Sequence, residues 1–128
     1  MHLCLDVDDT ITYAPKFFAT VCERFADAQI TIVTFRSDKT STESYLKSEG
    51  VRFDNVIVST DPIHGRTEQE TLHEWNASFV NQLRPDIFFE DMPEVVALID
   101  SSILVFMPCD EVIREWIKTQ IGCPPTQP

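Results

Sequence analysis

The 128-residue sequence lacks long hydrophobic runs, and no apolar stretch reaches the roughly 18 residues that a membrane-spanning helix needs. The acidic segment D-V-D-D interrupts the first apolar stretch, so the N-terminal residues do not have the pattern of a secretory signal peptide. We therefore expect a cytoplasmic protein that does not bind membranes. The length predicts one core domain, residues 1–122, followed by a Pro-rich tail, residues 123–128.

Basic residues are also scarce. Ten Lys and Arg residues stand against 21 Asp and Glu residues, which gives a formal net charge of -11. A general nucleic-acid binder needs a basic face, so the charge disfavours that class of protein. The charge also repels phosphate groups at long range, but a bound divalent cation would offset it locally. The acidity is therefore compatible with phosphate chemistry.

The cysteines show no metal-binding pattern. None of the four, Cys4, Cys22, Cys109 and Cys123, has the C-x-x-C spacing of a zinc site. Cys4 lies in an apolar strand-like segment and Cys22 on an apolar helical face. Both are typical of small core residues in a reducing compartment.

Strand-like and helix-like segments alternate along the chain. Short apolar runs predict strands at residues 2–6, 30–34, 55–59, 86–90 and 103–107. Helical periodicity predicts helices at residues 15–28, 41–48, 67–83, after Pro93 and at 111–119. In the last of these, the spacing places four apolar residues inward: Val112, Ile113, Trp116 and Ile117. The alternation predicts an α/β fold, a doubly wound, Rossmann-like, five-stranded parallel sheet with helices on both faces.

Polar residues cluster where three of the predicted strands end, which is where such folds bind ligands. They are Asp6, Asp8 and Asp9 after the first strand, Thr34 in the second, and Glu90 and Asp91 after the fourth. Neighbouring carboxylates repel one another unless a cation neutralises them. Two structural explanations compete with a site: solvated side chains in a turn, and Asp91 as the cap of the next helix.

These strand ends resemble three motifs of the haloacid dehalogenase-like superfamily of phosphotransferases. The segment L-C-L-D-V-D-D-T-I is similar to the first motif, an apolar strand that runs into D-x-D-x-T. I-T-I-V-T is similar to the second, a strand that ends in Thr or Ser, and I-F-F-E-D to the fourth, a strand that ends in an acidic pair. The resemblance covers residues 2–106. It implies a small hydrolase without a cap domain, a Mg²⁺-dependent phosphatase.

The resemblance also implies a role for each residue. Asp6 would attack the phosphoryl group and form an aspartyl-phosphate, and Asp8 would protonate the leaving oxygen and later activate water. Thr34 would donate a hydrogen bond to a phosphate oxygen. Mg²⁺ would be bound by Asp6, by the backbone carbonyl of Asp8 and by Asp91, with Glu90 as a supporting or alternative ligand. Thr10 would orient the loop.

The third motif of that superfamily, a Lys near the start of the helix before strand four, has no counterpart. No Lys occurs between Lys47 and Lys118. Arg66 is the nearest cation, and Gly65 would give its loop freedom to turn the side chain inward. We therefore expect Arg66 to supply the missing charge, with three alternatives, Lys39, Arg36 and His64.

Neither customary insertion point has room for a cap domain, so we expect an open site. Such a site suits a phosphorylated macromolecule, or a small phosphorylated molecule enclosed by a neighbouring subunit of a homo-oligomer. The missing Lys leaves a second hypothesis open, a catalytically impaired binding or regulatory domain, which would show no Mg²⁺-dependent hydrolysis. A phospho-acceptor receiver domain is disfavoured because Asp61 follows the third strand too late and no Lys follows the fifth.

Overall fold

A computed structural model describes residues 1–122, and the predicted tail at 123–128 lies outside the described residues. Strands and helices alternate, as the sequence predicts. The strands are β1 His2–Leu5, β2 Gln29–Thr34, β3 Asn55–Val58, β4 Ile87–Phe89 and β5 Leu104–Phe106. The helices are α1 Pro15–Arg24, α2 Lys39–Ser48, α3 Leu72–Leu83, α4 Pro93–Val96 and α5 Glu111–Ile121.

The five strands form one parallel sheet in the order β3-β2-β1-β4-β5. Leu5 of β1 stands beside Ile32 of β2 on one side and beside Phe89 of β4 on the other. The chain winds outward from β1 in both directions, so the predicted doubly wound α/β fold is confirmed. The order reverses between β1 and β4, and ligands of such folds bind beside this point.

Two apolar clusters cover the two faces of the sheet. Side chains alternate along β1, so Leu3 and Leu5 pack on the face covered by α1 and α2, whereas Cys4 packs on the face covered by α3 and α4. Helix α1 contributes Phe18 and Cys22 to the first cluster. Both Cys4 and Cys22 are buried, as predicted.

Helix α1 ends at Arg24, four residues before the predicted end at Ala28. The guanidinium group of Arg52 explains the difference. Its Nη2 donates hydrogen bonds to the backbone oxygens of Phe25 at 2.9 Å and Ala28 at 3.1 Å. These contacts stabilise the turn that follows the helix and leads to β2.

Helix α3 begins at Leu72, five residues after the predicted start at Thr67. Thr71 and Glu74 form a capping box: the Thr71 hydroxyl accepts from the Glu74 N–H, and the Glu74 carboxylate accepts from the Thr71 N–H. This pair lowers the pKa of Glu74. The segment T-L-H-E matches the sequence pattern of a capping box and so indicates that the helix begins here.

The inward placement predicted for α5 is wrong for three of its four residues. Ile113 is buried, but Val112, Trp116 and Ile117 are 75%, 41% and 37% exposed. Val112, Ile113 and Trp116 line a cavity beside Asp6, so the apolar stripe of α5 faces that cavity and not the core. Among residues 1–122, no helix is both long and apolar enough to cross a membrane.

Candidate functional site

The acidic residues after β1 and β4 lie side by side at the carboxyl ends of these strands. The Asp6 N–H donates to the backbone oxygen of Phe89 at 3.0 Å, and the Glu90 N–H donates to that of Phe106 at 3.1 Å. These bonds continue the sheet ladder by one residue on each strand. Asp6 and Glu90 therefore lie at the carboxyl ends of β1 and β4, the two neighbouring strands between which the strand order reverses.

Asp6, Glu90 and Asp91 form an acidic triad. One carboxylate oxygen from each residue lies within 4.8 Å of the other two. All three residues are buried, with exposures of 7%, 1% and 9%. The Thr10 hydroxyl lies between two of them, 3.2 Å from Asp6 Oδ2 and 3.3 Å from Asp91 Oδ1. One proton can be donated to only one carboxylate at a time, so the hydroxyl alone leaves most of the repulsion in place.

This repulsion affects the pKa values of Asp6 and Glu90. Burial raises the pKa of Asp6 well above its usual range, and the charges of Glu90 and Asp91 raise it further. The pKa of Glu90 is also raised well above its usual range, first by burial and then by the charge of Asp91. Both shifts have the causes expected for carboxylates that share a buried site without a cation.

The donor set of the triad fits a hard divalent cation. Glu90 Oε1 accepts the N–H of Met92 at 3.2 Å, whereas Glu90 Oε2 is buried without a hydrogen-bond partner among residues 1–122. Carboxylate oxygens are the protein ligands that Mg²⁺ prefers, and two ligands on opposite sides of it lie about 4.2 Å apart. The triad oxygens lie within 4.8 Å of one another, and Glu90 Oε2 is an oxygen that needs a partner. It is therefore a possible metal-binding triad.

The capping role considered for Asp91 is not what the structure shows. Met92 is the residue before α4, and no side chain caps that helix. The carboxylate of Asp91 instead faces Thr10. The explanation of Asp91 as a helix cap is therefore wrong.

Asp8 lies on a tight turn, Val7–Ile11, that follows Asp6. Asp9 occupies the left-handed region with a φ of 59°, a conformation that Asp tolerates better than most residues. The carboxylate of Asp8 is outside the triad and accepts hydrogen bonds from Arg36, with Nε 3.0 Å from Oδ2 and Nη2 2.8 Å from Oδ1. The Asp8 side chain is 55% exposed and the Arg36 side chain 30% exposed. Asp8 therefore lies at the mouth of the site, with the guanidinium group of Arg36 bound to its carboxylate.

Thr34 ends β2 and is fully buried. Its hydroxyl oxygen accepts the backbone N–H of Arg36 at 3.1 Å. This bond leaves the hydroxyl proton of Thr34 available for donation and fixes the turn that carries Arg36. The hydrogen bonds with Asp8 raise the pKa of the Arg36 guanidinium group.

Arg66 is not brought to the triad. Its Nη1 donates to the backbone oxygens of Glu70 at 2.8 Å and Thr67 at 3.4 Å, within its own loop. Gly65 does not turn the side chain inward. A Cβ at that position would lie 2.4 Å from the backbone oxygen of Asp61, so Gly65 serves the close packing of the loop.

Neither of the other two alternatives for the missing charge has a side-chain hydrogen bond or an ion pair with the triad or with Asp8 among residues 1–122. The charge of Lys39 contributes to lowering the pKa of Asp61, after the larger effects of the His64 and Ile63 backbone N–H groups. The His64 ring packs edge-on against Phe79 at 5.4 Å. Arg36 is therefore the predicted alternative that the structure brings to Asp8. Its position two residues after Thr34, at the end of a strand, is the sequence signal that favours it over Arg66.

A cavity of about 260 Å³ opens beside Asp6 and Asp91. The start of α5 forms one wall with Ile113 and Trp116, and Phe35 forms another. Sequence reasoning missed this enclosure. The sequence predicts an open site with no cap domain, but the site is less open than predicted, because α5 lies against it.

Comparisons with known proteins identify a solved structure of similar fold but do not identify a family. No family model matches the sequence, and no curated protein matches it. A chain in the solved structure of the Pnkp1/Rnl/Hen1 RNA repair complex is similar in fold, with a TM-score of 0.63 and 11% sequence identity. The match covers 84% of this chain and 42% of that one, so this chain spans less than half the length of the chain it matches there.

Proposed function

We propose that this protein is a phosphohydrolase that cleaves phosphate monoesters with Asp6 as the nucleophile and Mg²⁺ as the cofactor. The observation that carries the proposal is the buried triad of Asp6, Glu90 and Asp91, with an unpartnered Glu90 oxygen, beside a cavity. A buried carboxylate cluster of this kind is costly unless a cation or a shared proton neutralises it, and such clusters are typical of functional sites. The resemblance of the strand ends to the phosphotransferase motifs supports the same reading.

In the proposed reaction, an oxygen of Asp6 attacks phosphorus and the bond from phosphorus to the leaving oxygen breaks. Asp8 donates a proton to that oxygen, and the alcohol departs. Asp8 then takes a proton from water, which attacks the phosphorus of the aspartyl-phosphate and regenerates Asp6 with release of phosphate. Asp6, Glu90 and Asp91 would hold Mg²⁺, which supplies positive charge that offsets the repulsion between these carboxylates and the phosphate.

Arg36 has a specific place in this proposal. It holds Asp8 by two hydrogen bonds, and a guanidinium group binds phosphate oxygens with the same paired geometry. A bound phosphate would offer Arg36 a second acceptor and release Asp8 to carry the proton. The Thr34 hydroxyl, next to the Arg36 backbone, would donate to another phosphate oxygen.

A panel of phosphate monoesters tests the proposal. We expect hydrolysis that requires Mg²⁺, stops with a chelator and is absent in Asp6→Asn. Acid-quenched samples of the wild-type protein should contain a phosphorylated peptide that includes Asp6.

Asp61→Asn is the matched control, because Asp61 is a half-buried acid outside the triad whose carboxylate accepts backbone hydrogen bonds from Ile63 and His64. Hydrolysis by Asp6→Asn at the wild-type rate would contradict the proposed nucleophile. A protein that binds Mg²⁺ and phosphate but hydrolyses no ester would support the alternative, a binding or regulatory domain.

A further inference from the structure

The cavity beside the triad combines aromatic surface with negative charge. Phe35 and Trp116 supply the aromatic surface, and Asp9 and Glu94 add two exposed carboxylates to those of Asp6 and Asp91. Asp8 also lines the cavity, but its carboxylate is paired with Arg36. Asp110 also lines the cavity, but its Oδ1 caps α5 by accepting the Ile113 N–H at 2.9 Å. Neither a Lys nor an Arg is among the lining residues. This combination is unusual for a pocket that would bind a phosphate ester.

We propose that the cavity binds a leaving group that carries an ammonium group, so the preferred substrates are phosphate monoesters of small amino alcohols. The inference rests on the proposed function, because the cavity opens beside the proposed nucleophile. Phosphate would lie at the triad, and the ammonium group would lie between Trp116, Phe35 and the carboxylates of Asp9 and Glu94.

The lining chemistry discriminates among leaving groups by charge. An aromatic face attracts an alkylammonium ion, and nearby carboxylates strengthen the attraction. The same carboxylates repel a leaving group that carries a second phosphate or a carboxylate. A neutral leaving group of equal shape would gain the apolar contacts only. The cavity is therefore selective for positive charge and not merely for apolar surface.

The size of the cavity narrows the class further. At about 260 Å³ it is slightly below the roughly 300 Å³ at which pockets for drug-sized molecules begin. A small alkylammonium group fits inside this space. Size and charge together therefore favour small amino-alcohol esters among the substrates that the sequence left open.

The test compares phosphocholine with 3,3-dimethylbutyl phosphate, in which a neutral carbon replaces the nitrogen. At low ionic strength we expect kcat/KM for phosphocholine to be higher by about tenfold or more. Glu94→Gln and Asp9→Asn should each reduce this ratio, because both remove a charge and keep the shape. Asn also tolerates the left-handed backbone of position 9.

Trp116 gives a second, independent measurement. Trp116→Leu keeps apolar surface but removes the aromatic face, so it should lower kcat/KM for phosphocholine severalfold more than for the neutral ester. Trp116→Phe is the matched control and should retain most of the preference. Equal values for both esters in the wild-type protein, or a preference unchanged in Trp116→Leu and Glu94→Gln, would overturn the inference.

The two proposals fail in different ways. If both esters are hydrolysed at equal rates, the phosphohydrolase stands and the ammonium site does not exist. If no ester is hydrolysed, calorimetry with choline and with 3,3-dimethylbutanol still decides the second proposal. Choline binding that Trp116→Leu weakens supports the ammonium site, and equal or undetectable binding of the two alcohols refutes it.

Discussion

Arg36 and Asp8 form a two-point ion pair at the mouth of the cavity, with Nη2 2.8 Å from Oδ1 and Nε 3.0 Å from Oδ2. Both side chains are partly exposed, so this pair contributes little to stability, about 0 to 1 kcal/mol. Its effect is to hold a positive charge beside the residue proposed as the acid and base. We therefore interpret Arg36, and not Arg66, as the cation that takes the place of the missing Lys.

Arg36→Ala should reduce kcat/KM by on the order of a hundredfold, the scale for losing one donor to the transition state. The melting temperature should change little, because the pair is exposed. Arg36→Lys should recover only part of the activity, since Lys keeps the charge but lacks the paired donors. Steady-state kinetics and thermal denaturation of the three proteins check this expectation.

Arg66→Ala is the matched control for Arg36→Ala. Arg66 binds the backbone of its own loop, so its removal should leave kcat/KM near the wild-type value. The opposite pattern, with loss in Arg66→Ala and normal activity in Arg36→Ala, would reverse the assignment.

The fold and the triad could be predicted from the sequence because both follow from local patterns. Apolar runs of strand length alternate with helical periodicity, and parallel strands place their carboxyl ends on one edge. Asp6 directly follows β1, and the pair Glu90 and Asp91 directly follows β4, so the pairing of these strands brings the three residues together.

The assignment of Arg66 and the placement of α5 could not be predicted in the same way, because both depend on long-range packing. Arg66 is near the expected place along the chain, but its loop closes on itself through Gly65. The apolar stripe of α5 looks like a core face, and only the tertiary structure shows that Trp116 lines a cavity. The spacing of apolar residues along one helix does not determine which part of the protein that helix packs against.

The raised pKa values of Asp6 and Glu90 predict how stability depends on pH in the absence of metal. Unfolded carboxyl groups titrate near about pH 4. Above that pH the unfolded chain releases protons that the folded site retains, so the free energy of unfolding falls as pH rises toward the raised pKa values. We expect the melting temperature in a chelator to fall as the pH rises through the range above about 5.

Asp6→Asn isolates this effect, because it removes one of the repelling charges. The variant should be more stable than the wild-type protein at pH 8, by about 4 °C for each kcal/mol of relieved repulsion. The difference should shrink at pH 5, where the wild-type site holds more protons. Groups with lowered pKa values, such as Asp61 and Asp100, change charge below this window and do not contribute. A variant less stable than the wild-type protein at pH 8 would contradict the expected repulsion.

Glu90→Gln tests the unpartnered oxygen of the triad. The substitution removes a buried charge that only a cation would compensate, so the metal-free protein should become more stable, by about 1 kcal/mol or more. Added Mg²⁺ should then raise the melting temperature less than it does in the wild-type protein. Thermal denaturation with and without Mg²⁺ measures both effects. An unchanged Mg²⁺ shift would show that Glu90 does not contribute to metal binding.

The last prediction concerns Thr10, whose hydroxyl contacts two members of the triad at once. It lies 3.2 Å from Asp6 Oδ2 and 3.3 Å from Asp91 Oδ1, and its hydrogen bond counteracts part of the rise in the pKa of Asp6. Thr10→Val keeps the buried shape and removes the hydroxyl. Asp6 and Asp91 then lose the contact that sets their relative orientation.

We expect Thr10→Val to weaken Mg²⁺ binding by about 10- to 100-fold, the scale for groups that orient metal ligands. Activity at saturating Mg²⁺ should fall much less, because Thr10 does not contact the reacting atoms in the proposed mechanism. Titrating Mg²⁺ against both activity and melting temperature separates these two effects. Thr10→Ser restores the hydroxyl and should restore metal affinity. If Thr10→Val and Thr10→Ser bind Mg²⁺ equally well, Thr10 contributes through its packing, and the orientation of Asp6 and Asp91 must be set by the backbone bonds that extend β1 and β4.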